Sequence, residues 1–151
     1  MARHHVDFFD ALVRYETVLW NDLDLRLQAD LGLTLARLDA LRVIARRDGA
    51  CRVQDISDDL CITVGAASKL VDRLETGDLA RRAANPGDRR SSLISFTDKG
   101  RRIHDAGAKC LDGHLQAHLS HAFDRAEVTQ LTTRMVAARS QLHSVTPSVS
   151  A

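Results

Sequence analysis

Residues 53–100 read VQDISDDLCITVGAASKLVDRLETGDLARRAANPGDRRSSLISFTDKG, and the changes of period within them decide the fold. Val53 to Leu60 has the spacing of a short amphipathic helix, with Ile56 and Leu60 on one face. Cys61-Ile62-Thr63 follows as a turn, and the Thr63 hydroxyl is placed to accept an amide hydrogen bond as the N-cap of a second helix. There Ala67, Leu70, Val71 and Leu74 recur at i, i+3, i+4 and i+7 and make the buried face, leaving Ala66, Lys69, Asp72, Arg73 and Thr76 on the other. Gly77 closes the helix. Beyond it, Leu79 to Ala84 and Ser91 to Phe96 read as strands, joined through a Pro-Gly turn that ends in Asp88-Arg89-Arg90. Two short helices, a tight turn and an arginine-tipped hairpin predict a winged helix-turn-helix. In that unit a helix enters the DNA major groove and the wing reaches the minor groove. Arginine suits the wing because a narrow minor groove concentrates negative potential. A small α+β core with a solvated turn is the plainer reading, but it requires neither the cationic helix face nor the basic tip.

Four runs carry a resemblance: LTLARLDAL at 33–41, LVDRLE at 70–75, NPGDRR at 85–90 and FTDKG at 96–100. Together they are similar to the MarR family of bacterial regulators, over about residues 6 to 143. The most specific part is the Asp-x-Arg wing followed by Thr-x-Lys-Gly. The resemblance implies that Arg90 enters the minor groove and that Asp88 braces it. Two positions depart from the family pattern: Gly65 stands where relatives often have Ser or Thr, and Phe96 where Leu is usual.

The expected fold is therefore mainly α, a DNA-binding lobe at about 34–100 within a single MarR-like domain, 1–143. Terminal helices, about 6–29 and 97–143, form a dimerisation region, and 144–151 is a disordered tail of Ser, Val and Pro. Val6, Phe9, Val13, Trp20, Leu23 and Leu27 make an apolar stripe near the start. Val128, Leu131, Met135, Ala138 and Leu142 make another near the end, after a capping-box-like Asp124-x-x-Glu127. Such stripes pair two chains or pack on the chain's own core. Pairing suits a helix-turn-helix, because a palindrome is read by two recognition helices about one DNA turn, ~34 Å, apart. Thr34 to Asp48 reads as a helix with Leu35, Leu38, Leu41 and Ile44 inward, and Thr97 caps a long helix to about Ser120 that links wing to dimer.

The net charge of +1 is unevenly spread. Residues 1–60 hold 8 Lys/Arg against 11 Asp/Glu, residues 61–102 hold 9 against 5, and residues 103–151 hold 4 of each. Phosphates respond to charge within a Debye length, so the local excess is the relevant one. The recognition surface expected is Thr63, Ala66, Ser68, Lys69 and Arg73 on the helix with Arg89 and Arg90 on the wing, supported by Asp88. The partners expected are a double-stranded DNA operator, a second copy of the chain, and a small aromatic or anionic ligand near Trp20, Arg14, Arg26 and Arg42. That ligand, or less readily a metal or oxidant, would release a repressor. A winged-helix protein-interaction module without sequence-specific DNA binding is the rival reading.

No apolar run suits a signal peptide or a membrane span, and Cys51, Cys61 and Cys110 are odd in number and scattered, which points to reduced thiols in the cytoplasm. Of these, Cys61 alone lies beside positive charge, as a redox thiol requires. Cys110, His114 and His118 step by four along one helix and are the metal candidates. Zinc-sensing relatives add ligands from the second helix, which offers only Asp39 and Asp48 here, so neither metal nor cofactor is expected. A phosphate-binding glycine loop, a Gly-x-Ser-x-Gly elbow and a His-Glu-x-x-His pair are all lacking, so the chain is not expected to be an enzyme.

Overall fold

The structure is a computed structural model that describes residues 4–145. Its elements run α1 (His4–Leu31), α2 (Leu35–Arg47), α3 (Val53–Leu60), α4 (Val64–Thr76), β1 (Ala80–Ala84), β2 (Ser92–Phe96), α5 (Asp98–Leu119) and α6 (Arg125–Val145). This is the mainly helical, winged helix-turn-helix order expected. The helices begin where side chains cap them: Thr34 Oγ1 accepts from the Arg37 amide and Thr63 Oγ1 from the Ala66 amide. The strands pair antiparallel with Ala80 opposite Phe96 and Ala84 opposite Ser92. A third segment joins this sheet through the bridge between Cys51 and Ile94, whose amide donates to Cys51 O at 2.7 Å.

The chain divides into two compact units between Asp112 and Gly113, within α5. The first holds every buried apolar side chain of the described core. Leu38, Leu41, Val43 and Ile44 of α2 pack with Ile56 of α3, Ala67, Val71 and Leu74 of α4, Ile94 of β2, and Leu23 and Leu27 of α1. Two glycines of α5 let it approach this core. A Cβ on Gly107 would stand 2.7 Å from Leu38 Cδ1, and one on Gly100 would stand 1.7 Å from the Leu79 carbonyl oxygen. The second unit contains α6, which begins with the expected reciprocal cap: the Asp124 amide donates to Glu127 Oε2 and the Glu127 amide to Asp124 Oδ1, both at 2.8 Å. Among the described side chains of α6 none is fully buried.

The apolar stripe of α1 is split. Leu23 and Leu27 are core, whereas Val6, Phe9, Val13 and Trp20 are exposed. Of the residues assigned to a disordered tail, Ser144 and Val145 close α6, and 146–151 lie outside the described residues. Among the described residues no helix is long and apolar enough to cross a membrane.

Candidate nucleic-acid interface

The turn between α3 and α4 is held from both sides. Cys61 takes the left-handed conformation at φ 54° that ends α3, and the buried Ser57 hydroxyl donates to Ile62 O at 2.7 Å. Thr63 then starts α4. Along α4 the burial alternates as expected: Ala67, Leu70, Val71 and Leu74 are inside, and Thr63, Gly65, Ala66, Lys69, Asp72, Arg73 and Thr76 are exposed. Nothing lies within 4 Å of a Cβ placed on Gly65, so the fold does not demand glycine there. Gly77 is the C-cap, but at φ −81°; the left-handed residue that turns the chain is Asp78, at φ 55°.

Arg82 is the residue that sequence reasoning missed. It stands on β1 opposite Ile94, on the side of the hairpin that faces α4. Its guanidinium pairs with Glu75, reaches Asp72 Oδ1 at 2.8 Å, and donates to Ser68 O at 3.3 Å and Ser68 Oγ at 3.5 Å. The Arg82 amide adds a bond to Glu75 Oε1 at 3.0 Å. Ser68 is thus half-buried, with its carbonyl and hydroxyl oxygens turned to Arg82 of the hairpin. The carboxylates of α4 are engaged by Arg82, and among the described residues Lys69 and Arg73 are its exposed charges without an ion pair.

The wing tip is shaped by two side chains bonding two residues ahead. Asn85 Oδ1 accepts from the Gly87 amide at 3.0 Å and Asp88 Oδ1 from the Arg90 amide at 2.9 Å. Asp88 therefore supports Arg90 through its backbone, not through its guanidinium. Asn85 Nδ2 donates to Ser91 Oγ at 2.9 Å and closes the loop at its base. Arg89 and Arg90 are exposed at the tip.

The Thr-x-Lys-Gly run acquires a physical meaning where α5 meets the end of α4. Thr97 Oγ1 donates to Asp78 O at 2.6 Å and accepts from the Gly100 amide at 2.9 Å; Lys99 Nζ donates to Gly77 O at 2.9 Å. Gly100 lies against the Leu79 backbone, as above. Three residues of one motif thus grip three consecutive residues, 77–79, so that α4, the hairpin base and the start of α5 are joined at one point.

A model of the MarR family matches residues 31–91, the stretch from the end of α1 to the wing. Over that stretch the chain resembles the MarR family. No curated protein matches this chain by sequence. Solved structures share its fold. AbsC from Streptomyces coelicolor superposes with a TM-score of 0.83 at 19% identity, over 95% of this chain and 97% of that one. Sco3205 from the same organism, solved in complex with DNA, gives 0.82 at 21%, over 98% and 91%. CouR of Rhodococcus jostii RHA1 has been solved with p-coumaroyl-CoA and, as a transcriptional repressor, with a 23-mer DNA duplex. The latter gives 0.76 at 25% identity, over 85% and 89%.

Among the described residues the proposed ligand residues are held apart by local pairing. Each proposed ligand arginine is paired with an aspartate close in sequence: Arg14 with Asp10 at 3.7 Å, Arg26 with Asp22 at 2.6 Å, Arg42 with Asp39 at 2.8 Å. The hydrogen bond and charge of Asp22 raise the Arg26 pKa further. Trp20 borders a shallow cleft of about 250 Å³ whose other walls are Glu16, Thr17 and Asn21, with no arginine. Cys51 is buried, and desolvation aided by Asp55 pushes its thiol up to about 11. Partial burial and Asp30, whose Oδ2 lies 3.4 Å from Cys110 Sγ, raise the Cys110 thiol as well. Both thiols are thereby poor nucleophiles at neutral pH. Cys61 is exposed. His114 and His118 lie further along α5, beyond Asp112, and neither is without a partner.

Proposed function

We propose that this DNA-binding transcriptional regulator acts in the cytoplasm as a homodimeric repressor. It holds a palindromic operator with α4 in the major groove and the wing in the flanking minor groove. Lys69 and Arg73 would reach bases and phosphates, Thr63 and Ala66 would line the approach, and Arg89 and Arg90 would enter the minor groove with Asp88 setting the loop. The observation that carries this reading is one of charge: Lys69, Arg73, Arg89 and Arg90 are all exposed, and among the described residues none has a carboxylate partner. Pairing by a second chain is supported by the exposed apolar residues of α1 and α6. Release by a small organic molecule is supported by CouR, which binds p-coumaroyl-CoA.

Fluorescence anisotropy with the DNA flanking its gene, at several salt concentrations, tests the residue roles. Arg73→Ala and Lys69→Ala should each weaken specific binding by about tenfold. Arg90→Ala should lose most at A·T-rich flanks and lower the salt slope by about one. Unchanged affinity in all three would overturn the assignment in favour of a protein-interaction surface.

A further inference from the structure

We infer that Arg82 is a specificity-determining positioning residue: from behind α4 it fixes the angle at which the recognition helix meets DNA relative to the wing. The inference rests on the DNA-reading function proposed above. Ser68, Asp72 and Glu75 are spaced i, i+4 and i+7, so one guanidinium spans two turns of α4 along the face turned to β1. The Arg82 amide, bonded to Glu75, ties the same helix to the strand backbone. Arg82 is itself half-buried, on the hairpin that carries Arg89 and Arg90 at its tip. A planar cation with fixed donor directions sets an orientation where a lysine would supply only charge.

The geometry makes the sign of one substitution decisive. Glu75 is negative and sits on the recognition helix, so if long-range charge alone mattered, Glu75→Gln would tighten DNA binding. Acting through Arg82, it has the opposite effect: Glu75→Gln removes the charge that pairs with Arg82 from two turns along α4, and specific binding falls.

The experiment measures affinities of the full chain for its operator and for a scrambled duplex of equal length, for wild type, Arg82→Lys, Glu75→Gln and the double variant. Thermal unfolding serves as the fold check. Expected is a fall in the operator-to-scrambled ratio of about tenfold for Arg82→Lys and for Glu75→Gln, with little further loss in the double variant. Affinity for the scrambled duplex should stay near wild type in Arg82→Lys, which keeps its charge. Tighter or unchanged operator binding by Glu75→Gln, equal losses on both duplexes, or fully additive losses would overturn the inference. If Arg82→Lys unfolds, Glu75→Gln alone decides it, since the two accounts give it opposite signs. A wild-type chain that fails to discriminate the operator would instead refute the DNA-reading function.

Discussion

Residues 23–111 and the two terminal helices use apolar side chains in opposite ways. In the first, Leu27, Leu38, Leu41, Ile56, Leu74 and Ile94 are wholly removed from water. In the terminal helices, Phe9 is 62% exposed, Val18 69% and Val136 62%. The boundary runs through α1 itself, where Leu23 and Leu27 are core and the residues before Trp20 are not. One region buries its apolar surface within itself, and the other leaves it exposed, where the proposed second copy would cover it.

This contrast can be broken most severely at Gly100. Gly100→Ala forces a methyl group into the Leu79 carbonyl, and backbone cannot yield as a flexible side chain would. A loss of at least ~3 kcal/mol, measured by urea denaturation, is expected. Ordinary stability would show that α5 need not touch the end of α4.

A paired comparison on α1 sharpens the boundary. Leu27→Ala, in the core, should cost about 3 kcal/mol. Phe9→Asp, on the exposed stretch, should leave the isolated chain's stability within ~0.5 kcal/mol and weaken self-association by at least about tenfold, read by sedimentation equilibrium. Self-association indifferent to Phe9→Asp would remove that stretch from the dimer seam.

The smallest effect concerns thiols. The folded chain holds the Cys51 proton up to about pH 11, against an ordinary value of 9.0. Folded Cys51 therefore binds its proton more tightly than unfolded Cys51, and the stability this contributes is intact below pH 9 and declines as pH rises toward 11. Cys51→Ala should flatten that decline in pH-dependent unfolding. Iodoacetamide at pH 8 should label Cys61 well before Cys51 or Cys110; faster labelling of Cys51 would contradict its burial.

Much of this was legible in the sequence because it depends on neighbours along the chain. The period of Ala67, Leu70, Val71 and Leu74, the caps Thr34, Thr63 and Asp124 with Glu127, and the turn at Asn85 to Arg90 are all local. What escaped is contact between distant residues. The Cys51–Ile94 bridge, the Arg82 clamp on α4 and the fit of Gly100 to Leu79 join elements whose proximity no local pattern encodes. Nor does any local pattern show that Asp78 takes the left-handed conformation after Gly77, where Thr97 and Lys99 hold the carbonyls of 78 and 77. The local pairing of the ligand candidates was also legible: Asp10, Asp22 and Asp39 stand three or four residues before Arg14, Arg26 and Arg42, a spacing that pairs them on their own helices.

In the proposed dimer, two identical reading units are held at a set spacing on DNA. Selection of tight-binding duplexes from a randomised pool by the purified chain tests it most directly. The account predicts enrichment of a two-fold symmetric sequence whose half-sites lie about one DNA turn apart, bound by two protomers. Enrichment of a single asymmetric half-site, or of no sequence at all, would contradict it.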